Sequence, residues 1–171
     1  MAKKTKTSTG SQKGRASKKK DAVKRAGYGT KTRPEAVNSD WNGETYSSWD
    51  LPTAALRVSE GLPTEALTTV QGRLGLSNRE LADVVLISPR TLTRRKNEDR
   101  LPPDESERVY RVARLIEIAA GALGGKDEAR EWMKEPNFAL GEQIPLDIAR
   151  TEPGAQLVER VLGQIEQGIP V

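Results

Sequence analysis

Between residues 77 and 96 two helix-start signals follow each other closely, and no other feature narrows the possible fold as much. Ser77-Asn78-Arg79-Glu80 has the form of a capping box, in which the serine hydroxyl accepts from the Glu80 amide and the glutamate reaches back. Leu81, Ala82 and Val85 then fall on the inner side of the helix that this box starts. Ala82 is small where a crossing helix must approach closely, and Ile87 lies in the turn as an apolar plug. Ser88-Pro89 starts a second helix, because serine is a good N-cap and proline lacks only an amide that would be unpaired there. The spacing predicts a helix-turn-helix. Such turns often carry glycine where this chain has Leu86, so the turn must either avoid positive φ or bear strain.

The second helix carries the chemistry. At about 100° per residue, Leu92 points away from Arg90, whereas Thr93, Arg94 and Asn97 each lie within about 60° of it. One apolar anchor therefore faces inward, and the opposite face presents two guanidinium forks, a hydroxyl and an amide. These groups suit base edges in a DNA major groove, arginine to guanine above all. Ser88 and Pro89, at the helix start, are expected nearest the phosphates, with Arg95 and Lys96 flanking as backbone contacts. The plainer reading of the same residues is an αα-hairpin with a basic exposed face.

Composition removes most competing chemistries. The chain has 171 residues with no cysteine and no histidine, so thiolate metal sites, disulfides and the commonest general base are absent. Acidic pairs such as Asp104/Glu105 and Glu128/Glu131 stand in first turns of expected helices, where carboxylates complement the helix dipole. No Gly-rich phosphate loop, nucleophile motif or metal spacing is present. The expectation is a protein that is not an enzyme, with no catalytic residues, metal or cofactor.

Charge is divided unevenly. Residues 1–33 hold 12 Lys/Arg and one acid, Asp21, whereas the remainder holds 16 Lys/Arg against 23 acids. Residues 1–40 are rich in Lys, Thr, Ser and Gly and are expected to be a disordered basic arm, read either as a solvated tail or as a phosphate-binding arm. Its positive run has no apolar stretch behind it, unlike a secretory leader, and no segment suits a membrane span; the expected location is cytoplasmic. Trp41, Tyr46 and Trp49 follow, either packed on the domain edge as a strand or coil, or forming a platform for bases.

From Asp50 onward the pattern is helical. Gly61-Leu62-Pro63-Thr64 is expected to open a helix with proline in its first turn, carrying Leu67, Val70 and Leu74 and closed by Gly75. A long helix is expected over 104–123, ended by Gly124-Gly125, then a short one over 127–134. A short turn begins at Ile144-Pro145-Leu146, and a last helix begins near Pro153 and stops at Gly168. The fold class is all-α. The expected divisions are a basic arm at 1–40, a helix-turn-helix domain with its long following helix at 41–123, and a small helical domain at 124–171.

With these motifs in place, residues 61–171 resemble the Xre/MbcA/ParS antitoxins, the partners of RES-domain toxins. The resemblance is carried by GLPTEAL (61–67), LGLSNRELADVVLISPRTLTRRK (74–96), RLPPDESERVYRVARLIEIA (100–119) and WMKEPNFALGEQIPLDIARTEPGAQLVERVLGQIEQG (132–168). The most distinctive block is PNFALGEQIPLDIARTEPGA. The family pattern has a second glycine where Glu142 stands here, which leaves that loop's backbone open. The resemblance implies an Xre-like helix-turn-helix domain followed by a toxin-binding domain. It also implies a homodimer that represses its own operon at an operator of two half-sites, and a carboxy-terminal region near the active-site entrance of an NAD-targeting RES toxin.

Within that region Asn137, Phe138 and Leu140 are candidate toxin contacts, as are Gly168, Ile169, Pro170 and Val171. Phe138 and Leu140 can equally cap the small domain's core, and the carboxy-terminal tail can equally fray. The alternative for the whole chain is a stand-alone helix-turn-helix regulator whose carboxy-terminal domain only dimerises.

Overall fold

The computed structural model describes residues 46–169. The basic arm, Trp41, Pro170 and Val171 lie outside the described residues. Eight α-helices follow in order: α1 (Leu51–Glu60), α2 (Glu65–Leu74), α3 (Asn78–Val84), α4 (Pro89–Arg95), α5 (Pro103–Leu123), α6 (Lys126–Lys134), α7 (Pro145–Ile148) and α8 (Glu152–Glu166). A 3-10 turn, Phe138–Leu140, lies between α6 and α7. Among the described residues there is no strand, only the isolated bridges Pro63–Arg100 and Asn137–Gln143.

The long helix α5 organises the rest. Val109, Val112, Ala113, Leu115, Ile116 and Ala119 are all buried, covering more than one side of the helix. It can be buried so widely because α1 and α2 pack on it from one region of the chain and α6 and α8 from the other. One continuous apolar core therefore runs from Tyr46 to Leu162. Polar ties reinforce it: Arg130 of α6 donates to the Arg73 carbonyl at the end of α2 (2.7 Å). Arg111 of α5 donates to the Arg150 carbonyl (2.8 Å) and pairs with Glu107 and Glu152.

One boundary differs clearly from the sequence expectation. The helix expected to open at Gly61–Thr64 starts at Glu65, and Pro63 precedes it. Residues 61–63 instead run beside residues 99–101, with Pro63 bridged to Arg100, the Leu101 amide on the Leu62 carbonyl (2.8 Å) and the Thr64 amide on the Asp99 carbonyl (3.3 Å). Gly61 makes that approach possible: a Cβ there would lie 2.4 Å from the Leu101 oxygen. Upstream, α1 is a separate helix capped by the Asp50 carboxylate, which accepts from the Thr53 amide (2.9 Å).

The aromatic segment packs as a docked coil. The Trp49 ring stacks on Tyr110 of α5 (centroids 5.8 Å), and Tyr46 tilts against Trp49 (4.8 Å). The Ser47 amide donates to a buried Glu117 carboxylate (2.6 Å). Burial pushes the Glu117 carboxyl above the usual carboxylate range, partly offset by the bond from Ser47.

Candidate functional site

The first candidate face is built by α3, its turn and α4. Ser77 and Glu80 form the reciprocal capping box, with the Ser77 amide on the Glu80 carboxylate (2.7 Å) and the Glu80 amide on the Ser77 hydroxyl (3.2 Å). The Ser77 amide holds the Glu80 carboxyl below its ordinary value. Leu81, Ala82 and Val85 are buried, and Ile87 packs against the core from the turn. The turn itself adopts the strained alternative. Leu86 has φ 56°, in the left-handed region, and the Ile87 amide closes the turn on the Ala82 carbonyl (2.9 Å). Arg108 of α5 steadies it by donating to the Val85 carbonyl (3.2 Å).

The Ser88 hydroxyl accepts from the Thr91 amide (3.0 Å), so α4 starts where the cap and Pro89 require. Leu92 is 1% exposed and is the only buried side chain of α4. Truncating it to alanine costs about 2–5 kcal/mol. Ser88, Pro89, Arg90, Thr93 and Arg94 are all exposed. The Thr93 hydroxyl donates to the Pro89 carbonyl (3.0 Å), and Asn97 donates to the Thr93 carbonyl (2.9 Å). Arg94 passes 3.6 Å from Glu98 on the surface with its side chain 63% exposed.

Arg95 and Lys96 point elsewhere than the sequence suggested. Arg95 is 15% exposed at its side chain and forks onto Glu105 of α5, Nε to Oε2 at 2.7 Å and Nη2 to Oε1 at 2.8 Å. Its Nη1 donates to Glu98 (2.7 Å), and these carboxylates hold its pKa above the ordinary arginine value. The Lys96 ammonium bridges Gln71 of α2 (2.7 Å) and Asn78 of α3 (2.8 Å). Both cations follow the last turn of α4 back toward the protein, where acceptors outcompete water. Sequence reading passed over Arg79, which is exposed in the first turn of α3, the helix that crosses the backbone in such units. Its position directly inside the capping box was the available signal.

The second candidate face lies at the other end of the chain. The Asn137 side chain accepts from the Ala139 amide (2.9 Å), and its main chain pairs with Gln143. Gly141 and Glu142 are both left-handed, at φ 68° and 61°. The loop keeps at Glu142 the backbone that glycine favours, so the residue departs from the family pattern while the conformation fits it. This closed loop separates the two apolar residues that sequence reading treated together. Phe138 is 81% exposed, whereas Leu140 is buried and belongs to the core, which removes it from any docking surface. Asn137 is half-buried and spends its carbonyl on the turn. Gly168 closes α8 at φ 67°, and Ile169 is 45% exposed with its amide on the Gln164 carbonyl (2.9 Å).

Farther along the chain, Gly154 permits the tight joint of α7 to α8. A Cβ there would lie 1.8 Å from the Ile148 carbonyl oxygen, and Thr151 caps α8 by accepting from the Gly154 amide (3.2 Å). No group of carboxylates capable of holding a metal ion occurs among the described residues, and no described helix is long and apolar enough to cross a membrane.

A capped helix-turn-helix with outward arginines, joined through the long α5 to a carboxy-terminal helical region, defines a helix-turn-helix protein with an appended helical region. Residues 53–114 match the antitoxin Xre-like helix-turn-helix domain, and residues 119–168 match the antitoxin Xre/MbcA/ParS C-terminal toxin-binding domain. Antitoxin Xre of Photorhabdus laumondii is 31% identical over 77% of this chain and 90% of its own length. Antitoxin Xre of Yersinia enterocolitica is 32% identical over 66% of this chain and 77% of its own length. The crystal structure of the Mycobacterium tuberculosis MbcT–MbcA toxin–antitoxin complex holds a similar chain, with TM-score 0.50 and 27% identity over 63% of this chain and 96% of that one. The chain belongs to the Xre/MbcA/ParS antitoxin family, and it is the antitoxin of a toxin–antitoxin pair.

Proposed function

We propose that this antitoxin neutralises a RES-domain toxin that consumes NAD, and that it represses its own operon through α4. The toxin then carries the chemistry, and this chain contributes binding alone, in the cytoplasm and without a cofactor. The observation that carries the toxin half is Phe138. A phenylalanine that is 81% exposed stands on a loop closed by the Asn137–Gln143 pair, inside the region matching a toxin-binding domain. Aromatic anchors of this kind dominate interface energies. Ile169 offers a second apolar contact, and Asn137, Gly168, Pro170 and Val171 complete the proposed toxin face.

The DNA half rests on Arg90 and Arg94, exposed on one side of a helix whose other side is pinned by Leu92. Their guanidiniums suit guanine edges, with Thr93 beside them and Ser88, Pro89 and Arg79 nearer the phosphates. Seven residues of helix read few base pairs, which favours a homodimer on an operator of two half-sites. On this reading residues 41–123 serve DNA, residues 124–171 serve the toxin, and residues 1–40 add sequence-independent phosphate attraction.

Co-expression with the product of the adjacent gene tests the pairing. The expected outcome is a stable complex with a RES-domain protein that keeps cellular NAD intact. Normal operator binding with no such partner would instead favour a stand-alone regulator.

A further inference from the structure

The reading face proposed above depends on the angle at which α4 is held, and a seven-residue helix with one buried side chain does not fix its own angle. Leu92 sits near the middle of α4, so packing there allows the helix to pivot. Arg90 and Arg94 lie on opposite sides of that pivot and would move in opposite directions. The start of the helix carries the Ser88 cap, and the turn before it is held by Ile87 on the core and by Arg108 on the Val85 carbonyl, so no side-chain tie to the body comes from α4 itself at that end. Its end is tied to the body of the protein, through the two-bond fork of Arg95 on Glu105 and the third bond to Glu98.

Several features make that tie rigid. The two side chains of the fork are 15% and 9% exposed, so water competes poorly for either. A planar guanidinium meeting a carboxylate through two parallel bonds fixes orientation as well as distance. Glu105 stands in the first turn of α5, where the helix dipole favours its charge, and α5 carries the most buried residues of any described helix. Lys96 adds a second tie, to α2 and the start of α3. Three of the five donors of Arg95 are thus spent inside the protein, although it stands next to an arginine that is exposed.

We propose that Arg95 is a positioning residue for DNA recognition, setting the angle of α4 through Glu105 and touching no phosphate itself. This rests on the reading face proposed for α4. The two roles predict opposite behaviour. A phosphate contact tolerates lysine, contributes to the salt dependence, and is freed for DNA when Glu105 loses its charge. A positioning fork needs the guanidinium, leaves the salt dependence unchanged, and fails when Glu105 loses its charge.

The test uses the full chain and a duplex that it selects from a randomised pool, with a scrambled duplex as reference. Arg95→Lys and Glu105→Gln should each lower the ratio of selected to scrambled binding by about tenfold, the worth of one well-made base contact. Neither should alter the slope of log affinity against log salt, whereas a lost phosphate contact changes that slope by about one unit. Binding by Glu105→Gln as tight as the parent's, or tighter, would overturn the proposal, as would retention of the ratio by Arg95→Lys.

Should either variant unfold, the parent chain decides. The Arg95 Nε proton should exchange slowly and keep its NMR shift when the selected duplex is added; accelerated exchange or a large shift would contradict the fork. Arg90→Ala separates the two levels of the reading. If Arg90→Ala loses the selected duplex while Arg95→Lys and Glu105→Gln keep it, only the positioning role fails. If Arg90→Ala binds like the parent, the reading face itself is wrong and the positioning role falls with it.

Discussion

The helix-turn-helix and the loop at residues 137–143 both present side chains to solvent from a strained turn, but they do so in opposite ways. At the first, left-handed Leu86 turns the chain between two capped helices, and the exposed groups are charged and stand on a helix. At the second, left-handed Gly141 and Glu142 close a loop on itself, and the outstanding group is a single apolar ring. The contrast matches two kinds of partner. A polyanion with a patterned edge is met by guanidinium forks, and a protein cleft is met by an aromatic anchor. On the proposed reading the two surfaces act independently of each other.

That independence can be broken experimentally. The largest expected effect is on Phe138→Ala, which should weaken toxin binding by about 2–4 kcal/mol, as truncation of an interface anchor does, with thermal stability nearly unchanged. Calorimetric titration against the purified toxin checks it, and parent-like affinity would remove Phe138 from the toxin face. Next, Arg90→Ala and Arg94→Ala should each cost roughly 1–3 kcal/mol of specific duplex binding, measured by anisotropy, and leave the toxin titration as it was. An effect of similar size on both partners would mean that the faces are coupled.

Smaller effects sharpen the comparison of the two turns. Glu142→Gly should stabilise the fold by about 0.5–1 kcal/mol in a denaturant titration, because relief of about 1–2 kcal/mol of left-handed strain is partly offset by the greater freedom of glycine in the unfolded chain. Leu86→Gly should gain less, since the leucine is only 47% exposed and glycine forfeits its remaining packing.

The smallest expected effect is the pH dependence at Glu117. Burial raises its folded-state pKa, so its contribution to stability is complete at pH below the unfolded-state value and is lost as pH rises through the folded value. Glu117→Gln keeps an acceptor for the Ser47 amide and cannot ionise. The variant should therefore gain on the parent as pH rises from acid to neutral, and a constant difference across that range would contradict the sign.

These two ends were not equally legible in the sequence. The helix-turn-helix is written in local chemistry: Ser77 with Glu80, Ser88 with Pro89, and Leu92 opposite Arg90 all act within one or two turns, so spacing alone places them. The inward course of Arg95 was not legible, because its partner Glu105 is ten residues away on another helix and only the tertiary fold joins them. For the same reason Pro63 read as a helix start, when the residues that hold it lie at 99–101. At the other end, the pattern of proline and glycine indicated short helices and turns, and the family resemblance supplied the rest. That Leu140 is core and Phe138 is not depends on which way a closed loop faces, and periodicity carries no such information for a three-residue turn.

The central claim is that one antitoxin carries two separable faces, and growth of cells producing the cognate toxin tests it most directly. Cells would express the toxin with the parent chain, Arg90→Ala or Phe138→Ala from a promoter that the antitoxin cannot control, with intracellular NAD followed over time. The expected result is that parent and Arg90→Ala preserve growth and NAD while Phe138→Ala loses both. Equal protection by all three, or equal failure of the two variants, would contradict it.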